Sequence, residues 1–418
     1  MNGLSRGFVY RRSVSRLLGP TFAALQVREF RILWAGTWLS FVAFFMSTIV
    51  QSVVAFELEG VNTAVGWVVF AQGIAMLTLS PIGGALADRL PKRRVIATGQ
   101  SITALVFLTV AVLVASERIE VLYLAMGSLV MGATFSFLGP ARQALVVDVV
   151  PEDRRGNAIA LAQVANTGSR VIGPILAGLL LAWSAVGAAG AYALMAALYA
   201  TGAALLLLLP KSRVRDGARA KPLFEDVWIG LRYVAERRRL RILLSFYTLV
   251  IMAGFPHVTL LPGLLENQLG RDAADVSTLF FIAAIGALSA SLAVARVADS
   301  PKALLYFTGC GFLFAAGLLA LAAAPSYLTA NLSMLAVGAG SGGFQVMGSA
   351  IAAREADPQY IGRVLSLTML AFAGFGLVGL PISALADRVG ERAAMGGMGA
   401  AVCALVALLA VLSLRRSR

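Results

Sequence analysis

A short, strongly charged turn separates two long apolar stretches of this chain: GALADRLPKRR, residues 84–94. The turn holds one acid and four basic residues, whereas only 13% of the whole chain is charged and 59% is hydrophobic. The mean hydropathy of +0.83 is far above that of an ordinary soluble domain. Such a composition is typical of membrane proteins, and we expect the turn to join two membrane spans at the bilayer surface.

Apolar windows of about 20 residues, the length needed to cross a bilayer, recur along the whole chain. We predict twelve spans, at about 32–56, 64–88, 94–115, 121–149, 157–184, 187–210, 240–265, 275–298, 302–323, 326–356, 362–386 and 393–414. The charged turn then joins spans 2 and 3. Because lipid offers backbone N–H and C=O groups no partners, the spans are expected to be helices and the fold an all-α membrane protein.

Basic residues are distributed unequally between the two predicted faces of the membrane. The segments on the side of the N-terminus carry most of them, including Lys92, Arg93 and Arg94 of the charged turn. The opposite side carries four arginines: Arg118, Arg271, Arg388 and Arg392. Because positive charge is retained in the cytoplasm, we expect a multi-pass protein of the inner (plasma) membrane with both termini cytoplasmic. The net charge of +14 then predicts contacts with anionic lipids at the cytoplasmic face and requires no nucleic acid.

The two halves of the chain repeat one another at a nearly constant shift. Asp148 corresponds to Glu355 and Pro174 to Pro381, each 207 residues later. A duplicated six-helix bundle explains this shift. We predict four parts: a basic cytoplasmic tail at 1–31, an N-terminal bundle at 32–210, a cytoplasmic linker at 211–239, and a C-terminal bundle with a short basic tail at 240–418. Apolar residues at helical spacing predict an amphipathic helix in the linker: Phe224, Val227, Trp228, Leu231 and Val234.

The charged turn is similar to G-x-x-x-D-R-x-G-R-K, the signature between helices 2 and 3 of the major facilitator superfamily, with Pro91 in place of the second glycine. Three further stretches resemble the drug:proton antiporter branch that includes enterobactin- and macrolide-type exporters: Arg28–Trp34, Gly139–Leu145 and Asn166–Gly178. The resemblance covers nearly the whole chain. It implies two six-helix bundles that rock about a midplane site, export of small molecules, and proton-coupled antiport.

By the same resemblance, the charged turn is part of a latch on the cytoplasmic side. Asp88 would lie against the positive N-terminal end of span 11, near Gly362, and Arg93 would reach Asp148 at the end of span 4. The predicted latch residues are Gly84, Asp88, Arg89, Arg93, Asp148 and Gly362.

Two other stretches bear on how many latches there are. The matching turn of the second half, residues 295–300, has lost the aspartate position. Residues 386–390 are similar to the motif but fall on the outer side, between spans 11 and 12, and we interpret them as a chance similarity. We therefore predict a latch on one side only.

Span 5 carries a row of small residues similar to the antiporter signature G-x-x-x-G-P-x-x-G-G, with Ser169 for the first glycine and Ala177 for a later one. Small residues let neighbouring helices approach closely, and a proline bends a helix by removing a backbone hydrogen bond. The row has two interpretations, ordinary packing and a role in transport, and both stay open; for Gly168, Ser169 and Ala177 packing explains the residue as well as transport does. The predicted residues are Gly168, Ser169, Gly173, Pro174 and Gly178.

Two arginines are predicted to lie deep in the membrane. Arg170 stands about 18 Å along span 5 from its start, and Arg142 lies roughly 9 Å deeper than Asp148. A charge at such depth normally faces a cavity or a partner. For Arg170 we favour a place in the substrate cavity, whereas for Arg142 a substrate role and an association with the latch are equally open.

The remaining candidates for a substrate or coupling cavity are polar and aromatic residues of spans 1, 4, 7, 10 and 11: Gln51, Phe135, Phe137, His257, Phe344, Gln345, Phe372 and Phe375. An aromatic cavity with arginines suits a bulky amphiphile. No Asp or Glu lies near the centre of a predicted span, so proton coupling rests on the resemblance alone. His257, the single histidine, could titrate there, although a structural role is its other interpretation.

These observations favour a secondary active transporter that exports hydrophobic or amphiphilic small molecules and uses an ion gradient, by resemblance H⁺, instead of a cofactor. A lipid or lysolipid translocator of the same fold is the alternative, and a non-transporting sensor or scaffold is a weaker one. An enzyme is disfavoured because the sequence shows no metal-ligand cluster, nucleophile elbow or phosphate loop. We expect a monomer.

Overall fold

The computed structural model describes residues 20–210, 225–298, 300–357 and 359–414; for residues 20–21, 81–89, 225–227, 369 and 413–414 it describes the backbone alone. Within these ranges the chain forms twelve helices long and apolar enough to cross a membrane. We number them in chain order: α1 Arg28–Glu59, α2 Asn62–Arg89, α3 Lys92–Ala115, α4 Val121–Val149, α5 Arg155–Ala182, α6 Gly187–Leu207, α7 Arg238–Gln268, α8 Val276–Ala295, α9 Ala303–Ala322, α10 Tyr327–Glu355, α11 Ile361–Val389 and α12 Glu391–Leu414. The predicted all-α fold is confirmed.

Glycine and proline mark the ends and breaks of several helices. Gly60 follows α1 with a φ of 67°, and Gly390 separates α11 from α12 with a φ of 88°. Glycine adopts such positive φ angles without a steric penalty, which lets the chain reverse direction within one or two residues. Pro256 interrupts α7, because a proline cannot donate the backbone hydrogen bond that a continuous helix requires. The parts of α7 are Arg238–Gly254, His257–Gly263 and a π-helical turn at Leu264–Gln268.

The helices pack as two groups of six, α1–α6 and α7–α12. In the first group α2 packs along α4, α3 along α6, and α1 against both α5 and α6; in the second, α10 packs along α8 and α9, α9 along α12, and α11 along α7. The two groups meet chiefly where α2 lies along α11 and α5 along α8. Large apolar side chains such as Leu105, Leu122 and Leu305 are exposed, as expected of a surface that faces lipid.

We call the face at which α1 begins the inner face and the opposite one the outer face, after the predicted orientation. At the outer face the two halves are in contact, since the Asp387 carboxylate of α11 accepts a hydrogen bond from the Asn62 backbone at the start of α2 (2.8 Å). At the inner ends of α5 and α11, a Cβ added to Gly156 or Gly362 would meet nothing within 4 Å. The structure is therefore closed at its outer face.

The linker contains a helix at Glu225–Glu236, which falls where the amphipathic helix is predicted. It packs against the inner end of α11. The Tyr233 ring stacks on that of Tyr360 (3.9 Å between centroids), and the Arg237 guanidinium pairs with the Asp357 carboxylate (2.6 Å). These contacts attach the linker helix to the C-terminal half.

Candidate functional site

The middle of α1 brings together the two deep arginines. Phe41 and Phe45 lie one helical turn apart, so that their rings stand on the same side of α1. The Arg142 guanidinium of α4 lies 5.2 Å from the centroid of the Phe41 ring, and that of Arg170 of α5 lies 5.1 Å from the centroid of the Phe45 ring. Both distances are within the range of cation–π attraction. We call these four residues the arginine–aromatic site.

Arg142 is a buried cation with unused hydrogen-bond donors. Its side chain is 7% exposed, and neither Nε nor Nη2 has a hydrogen-bond partner among the described residues. It borders a narrow cleft inside the N-terminal half, lined also by Ser40, Phe44, Thr134 and Tyr199. An unpaired donor on a buried charge is costly, and such groups are normally satisfied by a partner or a ligand. The arrangement therefore suits the binding of a hydrogen-bond acceptor, above all a negatively charged one.

Arg170 is more accessible than Arg142. Its side chain is exposed in the absence of lipid, and its Nε lies 3.5 Å from the Asn166 Oδ1 one turn earlier on α5. The residue stands near the middle of the 28-residue helix, so its charge is at membrane depth. At that depth, a cation that faces a polar cavity has a much lower free energy than one that faces lipid acyl chains.

Further aromatic side chains lie near the middle of the membrane-spanning helices. In the N-terminal half, Phe44 stacks on Phe135 (5.0 Å between centroids). In the C-terminal half, Phe372 and Phe375 of α11 approach Phe255 of α7 edge-on, with centroid distances of 5.4 and 6.3 Å. All five rings are half-buried, which leaves part of each face available to a ligand. Phe255 has no place among the predicted residues, although it directly precedes the break in α7.

Three predicted cavity residues lie inside one half instead. Gln51 accepts a hydrogen bond from Ser128 within the N-terminal half (3.0 Å). His257 is 4% exposed, and its Nδ1 lies 2.8 Å from the Gly254 carbonyl, beside the break in α7. Phe344 is fully buried, stacked between rings of α7 and α9 in the C-terminal half. These three side chains are packed inside one half in this structure, and their assignment to the cavity stays a prediction.

For two further predicted cavity residues, Gln345 and Phe137, the role in the cavity stays a prediction. Gln345, next to Phe344 on α10, is half-buried, as is Phe137 on α4. Neither belongs to the arginine–aromatic site.

The small residues of α5 have four different surroundings. A Cβ added to Gly173 would come within 2.7 Å of Phe45 Cβ and 3.0 Å of the Met46 backbone nitrogen, so this glycine allows α5 to touch α1. A Cβ added to Gly178 would come within 2.4 Å of the Ser277 Oγ at the start of α8. Ser169 and Pro174 are buried, whereas a Cβ added to Gly168 would meet nothing within 4 Å. Gly173 therefore supports the site, and Gly178 supports contact between the halves.

The family model described as Major Facilitator Superfamily matches residues 33–379, which include all four residues of the arginine–aromatic site. This chain belongs to the Major Facilitator Superfamily. It is accordingly a multi-pass membrane transporter, and the predicted family is confirmed.

Several known transport and resistance proteins are similar to this chain. Macrolide efflux protein A of Streptococcus pyogenes is 22% identical over 368 residues, which cover 87% of this chain and 90% of that protein. Multidrug resistance protein MdtH of Cronobacter sakazakii is 30% identical over 244 residues, 56% of each chain. The crystal structure of a mutant nucleoside transporter NupG has a TM-score of 0.75 at 15% identity, covering 91% of this chain and 99% of that one. At such identity the structural likeness shows the fold alone.

The superfamily turn at 84–94 is described in part. Of Gly84, Asp88 and Arg89 the structure describes the backbone alone. Asp148, predicted to pair with Arg93, forms an ion pair with Lys92 (2.5 Å), while Arg93 donates to the Leu207 carbonyl (2.8 Å). The inner ends of α3, α4 and α6 are thereby joined within the N-terminal half, and the approach of Asp88 to α11 stays a prediction.

The second copy of the turn motif is not a chance similarity, and this interpretation was wrong. The Asp387 carboxylate accepts four hydrogen bonds from the first two residues of α2: from the backbone and side chain of Asn62 (2.8 and 2.9 Å) and of Thr63 (2.8 and 2.5 Å). It thus caps the N-terminal end of α2, where unpaired N–H groups and the helix dipole favour an anion. This contact joins the two halves at the outer face. The latch on one side only stays a prediction. The available signal was the pentapeptide ALADR, which occurs at 85–89 and again at 384–388.

Proposed function

We propose that this transporter exports amphiphilic organic molecules with an apolar or aromatic body and a neutral or anionic polar group, in exchange for protons. The observation that carries the proposal is the arginine–aromatic site, in which two guanidinium groups and two phenyl rings meet at the middle of α1. The relatives named for macrolide efflux and multidrug resistance support export of bulky organic molecules.

The charge that a substrate is expected to carry follows from the charged residues of the site. Arg142 and Arg170 supply two positive charges, and among the described residues no Asp or Glu lies near the middle of a membrane-spanning helix to offset them. In a medium of low dielectric constant, an anionic group would be attracted and an ammonium group repelled. The Nε and Nη2 donors of Arg142 would gain the hydrogen-bond acceptor that they lack.

The aromatic surfaces favour a flat apolar body. The Phe44–Phe135 stack lines the cleft beside Arg142, and the Phe255, Phe372 and Phe375 rings lie near the middle of their helices in the other half. Offset stacking and edge-on contacts with such rings tolerate many ring systems, because they depend on shape more than on directed hydrogen bonds. A transporter built in this way would accept a range of substrates.

Matched probes test the proposed substrate class. Pyrenebutyrate, pyrenebutanol and pyrenebutylamine share one ring system and differ in charge, and their uptake into inside-out vesicles can be compared with that of vesicles lacking the protein. We expect uptake of the carboxylate and the alcohol above that of the amine. With an acidic lumen, uptake should rise, and a protonophore should abolish the rise. Preferential uptake of the amine would refute the assignment of charge, and indifference to the proton gradient would refute antiport.

Arg142→Met separates a role in binding from a role in stability. Because this substitution removes an unpaired buried charge at similar volume, we expect the melting temperature of the purified protein to stay the same or rise. Uptake of pyrenebutyrate should fall about tenfold to a hundredfold, the loss expected for hydrogen bonds to a charged group, while uptake of pyrenebutanol should change little. Arg296→Gln, at the exposed inner end of α8, is the matched control and should leave both unchanged.

The lipid translocator alternative is addressed with the same vesicles. A fluorescent lysophosphatidylglycerol, reduced from outside by dithionite, reports movement between leaflets. Movement of this lipid that depends on Arg142, together with absence of pyrenebutyrate uptake, would replace export of small molecules by lipid translocation.

A further inference from the structure

Helices α2 and α11 are related by a local twofold symmetry. They run in opposite directions, and their contacts keep one register: residue 62 meets 387, residue 66 meets 383, and residue 73 meets 376. From one pair to the next, the residue number in α2 rises by as much as the residue number in α11 falls. Continued along both helices, this register places residue 88 opposite residue 361, the first residue of α11.

The sequence repeats this symmetry. The pentapeptide ALADR forms the last five residues of α2, and it recurs one residue before the end of α11. Each helix therefore carries the same acid near its C-terminal end, Asp88 in α2 and Asp387 in α11. Asp387 contacts the N-terminal end of α2, and the register sets residue 88 toward the N-terminal end of α11. The twofold symmetry therefore exchanges the inner and outer faces, because the C-terminal ends of α2 and α11 lie on opposite sides of the membrane.

At the outer end the contact is formed. Besides the four hydrogen bonds to Asp387, the carboxylate of Glu391 at the start of α12 accepts hydrogen bonds from the side-chain amides of Asn62 (3.0 Å), Asn267 (2.7 Å) and Gln268 (3.2 Å). Glu391 is 4% exposed. The first turn of α2 is thus held by the ends of three helices of the C-terminal half.

Between the two ends, the helices touch backbone to backbone. A Cβ added to Gly73 would come within 2.6 Å of the Gly376 Cα, and one added to Gly376 within 2.5 Å of the Gly73 Cα. Asn62 lies roughly 16 Å from this crossing and Asp88 about 22 Å on the other side, at 1.5 Å per residue. A rotation of about 15° about the crossing would move the outer ends apart by about 4 Å, beyond the reach of a hydrogen bond.

We infer that Asp387 is the outer latch of this transporter, the counterpart of the superfamily turn at the inner face, and that the two acids close opposite faces in alternation. Rocking about the Gly73–Gly376 crossing separates one end as it brings the other together. Asp387 positions α2 and does not contact substrate. The inference requires only that the chain is a transporter and is independent of the substrate class.

Distances between spin labels test it without any substrate. Labels at Ser116 and Ala323 report on the outer ends of the two halves, and labels at Asp153 and Lys302 on the inner ends, in a protein lacking Cys310 and Cys403. With Asp387→Asn we expect the outer pair to move apart, the population of the open outer state rising about tenfold, and the inner pair to move closer. Asp88→Asn should shift both pairs in the opposite direction. Thr63→Val, which removes one of the four donors, should shift them as Asp387→Asn does but less.

Glu120→Gln is the matched control, because Glu120 is an outer acid that precedes α4 without capping it. It should leave both distances unchanged. A lower melting temperature of Asp387→Asn with unaltered distances would show that Asp387 only stabilises the fold, and the inference would be wrong. The same holds if Asp387→Asn opens the inner face. Because no transport is measured, failure of the proposed substrate class would not affect the result.

Discussion

Gly168 and Gly173 of α5 belong to one sequence motif but differ in their surroundings. Gly173 faces the Cβ of Phe45 and the backbone of Met46 on α1, whereas Gly168 faces open space. From the sequence both are small residues at a helix contact, and both ordinary packing and a role in transport are open. The structure separates them, because only the path of α1 shows which glycine is covered.

Alanine at each position tests the difference. We expect Gly173→Ala to lower the free energy of unfolding by about 1–3 kcal/mol, since its Cβ would push against the backbone of a packed helix. Gly168→Ala should be neutral or stabilise by up to about 1 kcal/mol through its higher helix propensity. Unfolding of the purified protein in mixed micelles measures both. Equal losses for the two variants would contradict the packing assigned to Gly173.

The depth of the charged and aromatic side chains was predictable, and their direction was not. The rise per residue places Arg142 and Arg170 within the membrane, and the structure brings both to α1. His257 and Phe344 were placed in the cavity but face the interior of the C-terminal half. Their helices are apolar on nearly every side, so no period in the sequence marks the face toward the cavity.

At the scale of elements, the end of α5 and the start of α8 form the second contact between the halves. Gly178 lies against the Ser277 side chain there, closer than any side chain at position 178 would allow. This contact is at the outer face, as is the Asp387 cap of α2. A side chain at residue 178 would therefore press on Ser277 and oppose this contact between the halves.

Gly178→Ala should hinder closure, and Ser277→Gly should restore it by removing the opposing atoms. A cysteine at Ser383, which is fully buried between α2 and α11, reports opening through its reaction with a membrane-impermeant maleimide. We expect the rate to rise about tenfold in Gly178→Ala, a change that corresponds to the lower part of the range for overpacking, and to return toward the parent rate in the double variant. Gly168→Ala is the control. An unchanged rate, or a lack of rescue, would remove the role assigned to Gly178.

The linker helix shows what an amphipathic sequence pattern predicts and what it leaves out. The pattern predicts a helix at the membrane surface, and Trp228 is 67% exposed, as expected for a side chain that enters the headgroup region. Tyr233, which is outside the predicted apolar stripe, makes the main contact by stacking on Tyr360. Hydrophobic periodicity does not register an aromatic residue that packs on the side of the helix opposite the apolar stripe.

At the scale of the whole molecule, orientation in the membrane is a prediction from charge alone. In the predicted topology the basic residues of the linker and of the turn at 84–94 fall on one side of the membrane, and retention of positive charge predicts that this side is cytoplasmic. Closure at the outer face, as described above, would then leave the space between the halves facing the cytoplasm, the side from which an exporter takes its substrate.

Single cysteines test the orientation. In intact cells, an impermeant maleimide should label a cysteine at Ser116, in the turn after α3, and should not label one at Asp153, between α4 and α5. After permeabilisation both should react, since both side chains are exposed. The parent protein, whose Cys310 and Cys403 lie within helices, gives the background. Labelling of Asp153→Cys in intact cells would reverse the orientation and, with it, the direction of export.

The twelve spans, the duplicated halves and the latch motif could be read from the sequence, because each depends on local properties: the length of an apolar run, a constant shift, and a pattern of charges. The pairing of α2 with α11, the gathering of Arg142, Arg170 and the phenylalanines at α1, and the role of Asp387 depended on the tertiary structure. Each of these joins residues far apart in the chain, and hydropathy assigns the same value to every face of an apolar helix. Which faces meet is determined by the packing of the helices against one another, above all by where glycines permit backbones to touch.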